Sequence, residues 1–162
     1  MKVLVSDIKK EKSPIILKEE IKYLPEQYSH VFSLNKIKKV EVEAKCSNFG
    51  DIIEIYFEIK ADLVLQCSYT LEDVDYLMDV NETLEFSFEP INEEIIEIEG
   101  NEIDLDEYVL SIIIANIPLR VIKKGAKLPS VDGVRVLSQD EFEEEKKNTL
   151  DPRLAALDDW EE

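Results

Sequence analysis

The chain has 162 residues, 37 acidic and 19 basic, with a formal net charge of −18 at neutral pH and 44% hydrophobic residues. This size and apolar content give one ordinary domain with a sizeable core and exclude a disordered chain. No segment approaches the roughly 18 consecutive apolar residues of a membrane-spanning helix, and so acidic a surface repels naked phosphate backbone at long range.

The charge is unevenly placed. Residues 1–50 carry a net +3, residues 51–109 a net −18 with Lys60 as their only base, residues 110–137 a net +4 and residues 138–162 a net −7. Acidity on that scale keeps a protein soluble, and it also suits a basic partner.

In chain order, "MKVLVSDI" reads as a short strand, and its apolar part is too short for a secretory signal. A cytoplasmic location is expected, and the two cysteines, Cys46 and Cys67, agree with a reducing compartment. Residues 14–35 give no clear element: Ile16, Leu17, Glu20, Ile21 and Leu24 hint at a helix that Pro25 would end. From residue 37 a period of two sets in. Val40, Val42, Ala44 and Cys46 share one face of a strand. "SNFGD" turns the chain, and Ile53, Ile55, Phe57, Ile59, Ala61, Leu63, Leu65 and Cys67 share the next apolar face. Val74, Tyr76, Met78 and Val80 follow in step; "NET" at 81–83 reads as a turn, after which Leu84, Phe86 and Phe88 resume. A short strand and a Gly100-Asn101 turn lie in "EIIEIEGNEID". The period then changes: Leu105, Tyr108, Val109, Ile112 and Ile113 form one helical face. Asp104 is placed to cap it, Glu107 stands in capping-box position, and Pro118 ends it near Asn116. Beyond lie a basic irregular stretch and a charged helical tail broken at Asp151-Pro152.

The fold expected is α+β: residues 1–137 form a mainly antiparallel sheet in meander order, open or barrel-like, with one packed helix. Residues 138–162 form an acidic C-terminal tail with a short helix. There are no internal repeats.

Chemistry is sparse. Zinc takes about four N, S or O ligands, and the chain offers two distant thiols and one histidine. Cys67 on an apolar strand face is expected to have a raised pKa, which removes the thiolate that redox chemistry needs. His30 in "YSHVF" builds no triad. The four glycines are scattered, which excludes the usual phosphate-cradling loops. Asp73, Asp75 and Asp79 suggest calcium, but Leu77 and Met78 stand where an EF-hand loop needs an oxygen ligand and a glycine. No metal and no cofactor are expected. Two basic stretches remain: Lys36, Lys38, Lys39 and Lys45 around a strand start, and Arg120, Lys123, Lys124 and Lys127 in "RVIKKGAK". The second is a candidate contact for RNA phosphate or an acidic protein surface; otherwise it neutralises the acids at 97–107.

Three stretches in order, "LQCSYTLEDVDYLMDV", "IDLDEYVLSIIIANIPLRVI" and "DPRLAAL", resemble the bacterial YceD family of large-subunit ribosomal RNA accumulation proteins, over roughly residues 50–157. Asp151, Pro152 and Arg153 carry the most telling part. The family usually shows Cys-x-x-Cys-Leu where this chain has Cys67, Thr70 and Leu71, so a role needing both thiols cannot operate here. The family's Pro-x-x-Pro-x-His exit from the helix keeps only Pro118. The resemblance implies a non-enzymatic factor in the accumulation or processing of large-subunit ribosomal RNA, and it carries over no catalytic residues. Its partner would be a ribosomal protein or a pre-ribosomal particle, with local ribosomal RNA contact open and no membrane. The alternatives are a carboxylate-dependent RNA-processing enzyme and an acidic protein–protein adaptor docking through its tail.

Overall fold

Long runs of alternating apolar residues make long strands, because each inward side chain that reaches the core commits its neighbours to the opposite face. The computed structural model describes residues 1–11, 13–90, 92–126 and 142–143. Its elements are β1 (Lys2–Leu4), α1 (Val5–Lys10), β2 (Ile15–Ile21), α2 (Pro25–Tyr28), β3 (Leu34–Phe49), β4 (Ile52–Gln66), β5 (Asp73–Ser87), β6 (Ile96–Glu97), β7 (Glu102–Asp104) and α3 (Leu105–Ala115). Five strands form one open sheet in the order β2-β3-β4-β5-β6, and β1 pairs with β7 in a separate ribbon. The α+β class is as expected, mainly antiparallel and not closed into a barrel. The proposed boundary at 137/138 and the tail helix lie outside the described residues.

β4 is the centre. Ile53, Ile55, Phe57, Ile59, Leu63 and Leu65 on its inner face are fully buried. β3 and β5 flank it antiparallel along nearly its whole length. Two register shifts in β3, between Leu34 and Lys36 and between Ile37 and Lys39, explain why its buried residues fall at 34, 37 and 40 before strict alternation begins. Each bulge adds one residue and bends the strand. The inner face packs against α1 and α3. Val5 and Ile8 of α1 and Leu105, Val109, Ile112 and Ile113 of α3 join the sheet residues in one core. Asp104 caps α3 as expected, its carboxylate accepting from the Asp106 N–H at 3.2 Å, and Asn116 closes the C-terminus; no hydrogen bond from the Asp104 N–H to Glu107 completes a capping box among the described residues.

The structure departs from the sequence pattern in four places. "NET" is no turn: Asn81, Glu82 and Thr83 pair with Glu58, Phe57 and Tyr56 inside an unbroken β5. The opening strand ends at Leu4, and Val5 starts a helix. Residues 15–21 form β2, paired with β3 from Ile15↔Cys46 to Ile21↔Val40, and only a four-residue helix follows Leu24. The last strand, β6, runs parallel to β5, so the meander stops at β5.

Candidate functional site

At the end of β4 the chain leaves the sheet and closes a tight loop. The Cys67 N–H donates to the Glu72 carbonyl at 2.8 Å and the Leu71 N–H to the Cys67 carbonyl at 2.9 Å. Closing it forces Leu71 into the left-handed region (φ 59°), a conformation that costs a residue with a Cβ roughly 1–2 kcal/mol. Strain of this kind, on a side chain that is also solvent-exposed, is more common at functional positions than elsewhere.

The segment that follows α3 lies against this loop. The Ser68 N–H donates to the Val121 carbonyl at 2.8 Å, the Val121 N–H to Ser68 Oγ at 3.2 Å, and the Lys123 N–H to Cys67 Sγ at 3.4 Å. Side chains reinforce the contact: Lys123 Nζ donates to Glu72 Oε2 at 3.2 Å, and Thr70 Oγ1 donates to the same oxygen at 3.2 Å. Hydrogen bonds from Lys123 and Thr70, with the lysine charge, hold the Glu72 carboxyl below its usual range.

The Cys67 thiol is inaccessible to solvent, as expected, yet its electrostatics are the reverse of the expectation. The Lys123 N–H, then the Thr70 hydroxyl, lower its pKa to about 7 against the opposing effect of burial. The sulfur stands just past the end of β4 and outside the main core cluster. Cys46 behaves as an apolar face dictates: burial alone pushes it up to about 11. The Thr70 hydroxyl has a single proton, shared between Glu72 Oε2 and the sulfur, so the Lys123 N–H is the main support of the Cys67 thiolate. This arrangement supplies one sulfur and one hydroxyl oxygen to a cation, fewer donors than a zinc site uses. Among the described residues no three His, Cys, Asp or Glu side chains lie together as a metal site.

The structure thus joins two features that the sequence presents separately. Lys123 is paired with Glu72, rather than with any acid of 97–107. Arg120 and Lys124 are exposed nearby, and Lys127, Asp151, Pro152 and Arg153 lie outside the described residues. Exposed apolar side chains border the same end of the sheet: Leu71, Leu119 and Ile122 on the two joined segments, and Phe32 next to Ser33, whose carbonyl accepts from the Gln66 N–H at 2.9 Å. Glu72 was missed because its role depends on Lys123, more than fifty residues away, and Thr70 stood out only as the place of a second thiol, its bond to Glu72 not being visible in the pattern. His30 is exposed, in the turn between α2 and β3.

Of the bases around the start of β3, Lys38 and Lys39 are tied to neighbouring carboxylates. Lys38 Nζ donates to Asp75 Oδ1 at 2.5 Å, and Lys39 contacts Glu41 and Glu20. Both lysines are held above their ordinary pKa, in each case chiefly by the carboxylate hydrogen bond. Asp73, Asp75 and Asp79 point to solvent from β5 rather than converging.

No solved structure matches the chain. An uncharacterized protein, YlbN of Bacillus subtilis (strain 168), is 31% identical over 134 residues, covering 77% of this chain and 76% of that protein. The family model described as "Large ribosomal RNA subunit accumulation protein YceD" matches residues 55–160, a span holding most of β4, the Cys67 loop, α3 and the basic segment packed on the loop. On that match and that relative, the chain belongs to the YceD family.

Proposed function

We propose that the chain is a non-enzymatic factor in ribosome biogenesis that supports accumulation or processing of large-subunit ribosomal RNA by binding a ribosomal protein or precursor particle. The observation that carries this reading is the family match over 55–160, whose description names the process. The chemistry of the surface favours a protein as the first contact. With a net charge of −18, concentrated in residues 51–109, encounter with a basic polypeptide is accelerated and encounter with RNA is slowed. Direct RNA contact is then local, through Arg120 and Lys124 beside Leu71 and Ile122. Carboxylates spread along the wet faces of β3, β4 and β5 favour adhesion over the convergent cluster that a metal-dependent nuclease uses.

The test is affinity capture of the full chain from cell extract, with and without ribonuclease, together with the Lys123→Glu/Lys124→Glu variant. The expected result is a ribosomal protein retained after ribonuclease, and large-subunit ribosomal RNA reduced in cells lacking the chain. Divalent-metal-dependent cleavage of precursor RNA by the purified protein would overturn the reading. Captured protein that vanishes with ribonuclease, and also with the charge-reversal variant, would move the contact from protein to RNA.

A further inference from the structure

Along residues 73–85, β5 has β4 on one side, while among the described residues nothing pairs with its other side; β6 reaches only Phe86 and Ser87. This leaves about 40 Å of strand edge carrying outward amides and carbonyls. The edge is not a flat apolar one. Its core-side residues Val74, Tyr76, Val80 and Leu84 are half-buried, with Glu82 exposed among them, while Leu77 on the outer face is 80% exposed. Asp73, Asp75, Asp79, Glu82 and Glu85 give the strand five acids and no base.

We propose that this edge captures an extended basic polypeptide segment, which adds to the sheet as a further strand beside β5. Unpaired backbone groups supply the hydrogen bonds, and half-open Val74, Tyr76, Val80 and Leu84 receive every second side chain of the incoming strand. The single sign of charge selects the occupant. Protecting an edge from aggregation needs charge of either sign, but acids alone turn away a second copy of the same strand, which would set carboxylates against carboxylates. Asp73 and Asp75 are already engaged by Asn35 and Lys38, so Asp79, Glu82 and Glu85 are the acids that attract alternating lysines or arginines. The inference deepens the ribosome-biogenesis reading by giving the protein partner a conformation, and rests on that reading only for where the partner comes from.

The probe is a synthetic peptide of about twelve residues alternating lysine and valine, long enough to cover most of the edge. Its controls are a glutamate–valine peptide and a lysine peptide of equal charge with proline at alternate positions, which removes backbone donors. Binding to the full chain is followed by residue-resolved amide exchange. The lysine–valine peptide is expected to protect alternate amides within 73–85, and the proline peptide and Glu82→Lys/Glu85→Lys each to weaken binding about tenfold or more. Equal binding of the proline peptide would reduce the effect to charge alone and overturn the proposal. So would edge amides already protected in the peptide-free chain, whether by residues 127–162 or by a dimer seen in sedimentation, or protection produced by an RNA oligonucleotide instead. Edge protection by the peptide with no ribosomal protein in the extract capture sinks the biogenesis reading alone. Ribosomal protein captured without edge protection sinks this inference alone.

Discussion

Cys46 and Cys67 are both shut off from solvent, but they hold opposite electrostatic positions. Cys46 has only apolar surroundings to disfavour its charged form, whereas Cys67 receives the Lys123 N–H and the Thr70 hydroxyl. The folded-state pKa of about 7 lies below the ordinary thiol value of 9.0. A depressed acid contributes stability that is complete above the unfolded value and disappears as pH falls through the folded one. The stability difference between the native chain and Cys67→Ala, from urea unfolding, is therefore expected to grow as pH rises from about 7 to about 9. A difference that stays flat over that interval would mean that the loop does not favour the thiolate. Cys46 works in the other direction: its contribution is present below 9.0 and falls as pH rises toward about 11. Covered as it is, Cys67 reacts with a thiol reagent only when the segment around Val121 and Lys123 lifts away.

At the level of elements, β4 sustains the sheet, since β3 and β5 pair with nearly its whole length on both sides, whereas β2 covers only the Val40–Cys46 part of β3. Phe57, fully buried at its centre, is expected to cost about 3–5 kcal/mol when changed to Ala. Asp104→Ala, which removes only the α3 cap, should cost about 1 kcal/mol. Denaturant midpoints for the two variants check the ranking, and an equal loss would argue that the core is not centred on β4. The alternation that built β4 was plain to read in residues 53–67, as was the helical face from Leu105 to Ile113. β5 was misread at 81–83 because Asn, Glu and Thr are common in turns, although Val80, Glu82 and Leu84 keep the same parity and argue for continuity. β2 was unreadable because Glu19 interrupts its inward series of Ile15, Leu17 and Ile21, and Pro25 follows closely. At the candidate site, the buried thiol was legible and its lowered pKa was not. That shift depends on an N–H supplied by Lys123, which no local pattern connects to Cys67.

For the molecule as a whole, charge is divided by region. The acids of 51–109 lie along β4 and β5, including the open edge, and along the segment from Glu89 to the start of α3, and the bases of 120–124 sit at the end of β4 beside exposed Leu71, Leu119 and Ile122. If the acidic surface makes the first contact, capture of a basic ribosomal protein should weaken about as strongly with added salt for Lys123→Glu/Lys124→Glu as for the native chain, because screening acts on the carboxylates. A salt series on captured material measures this, and a salt response lost in the variant would place the contact on the bases. The pairing of Lys2 with Asp104 has another consequence. β3, β4 and β5 can zip together through short connections at Gly50 and at residues 67–72, but a three-residue strand that must find a partner about a hundred positions later closes a very long loop for few contacts. The β1–β7 ribbon is then the last part to settle, and until it does, the end of the core beneath α3 stays open.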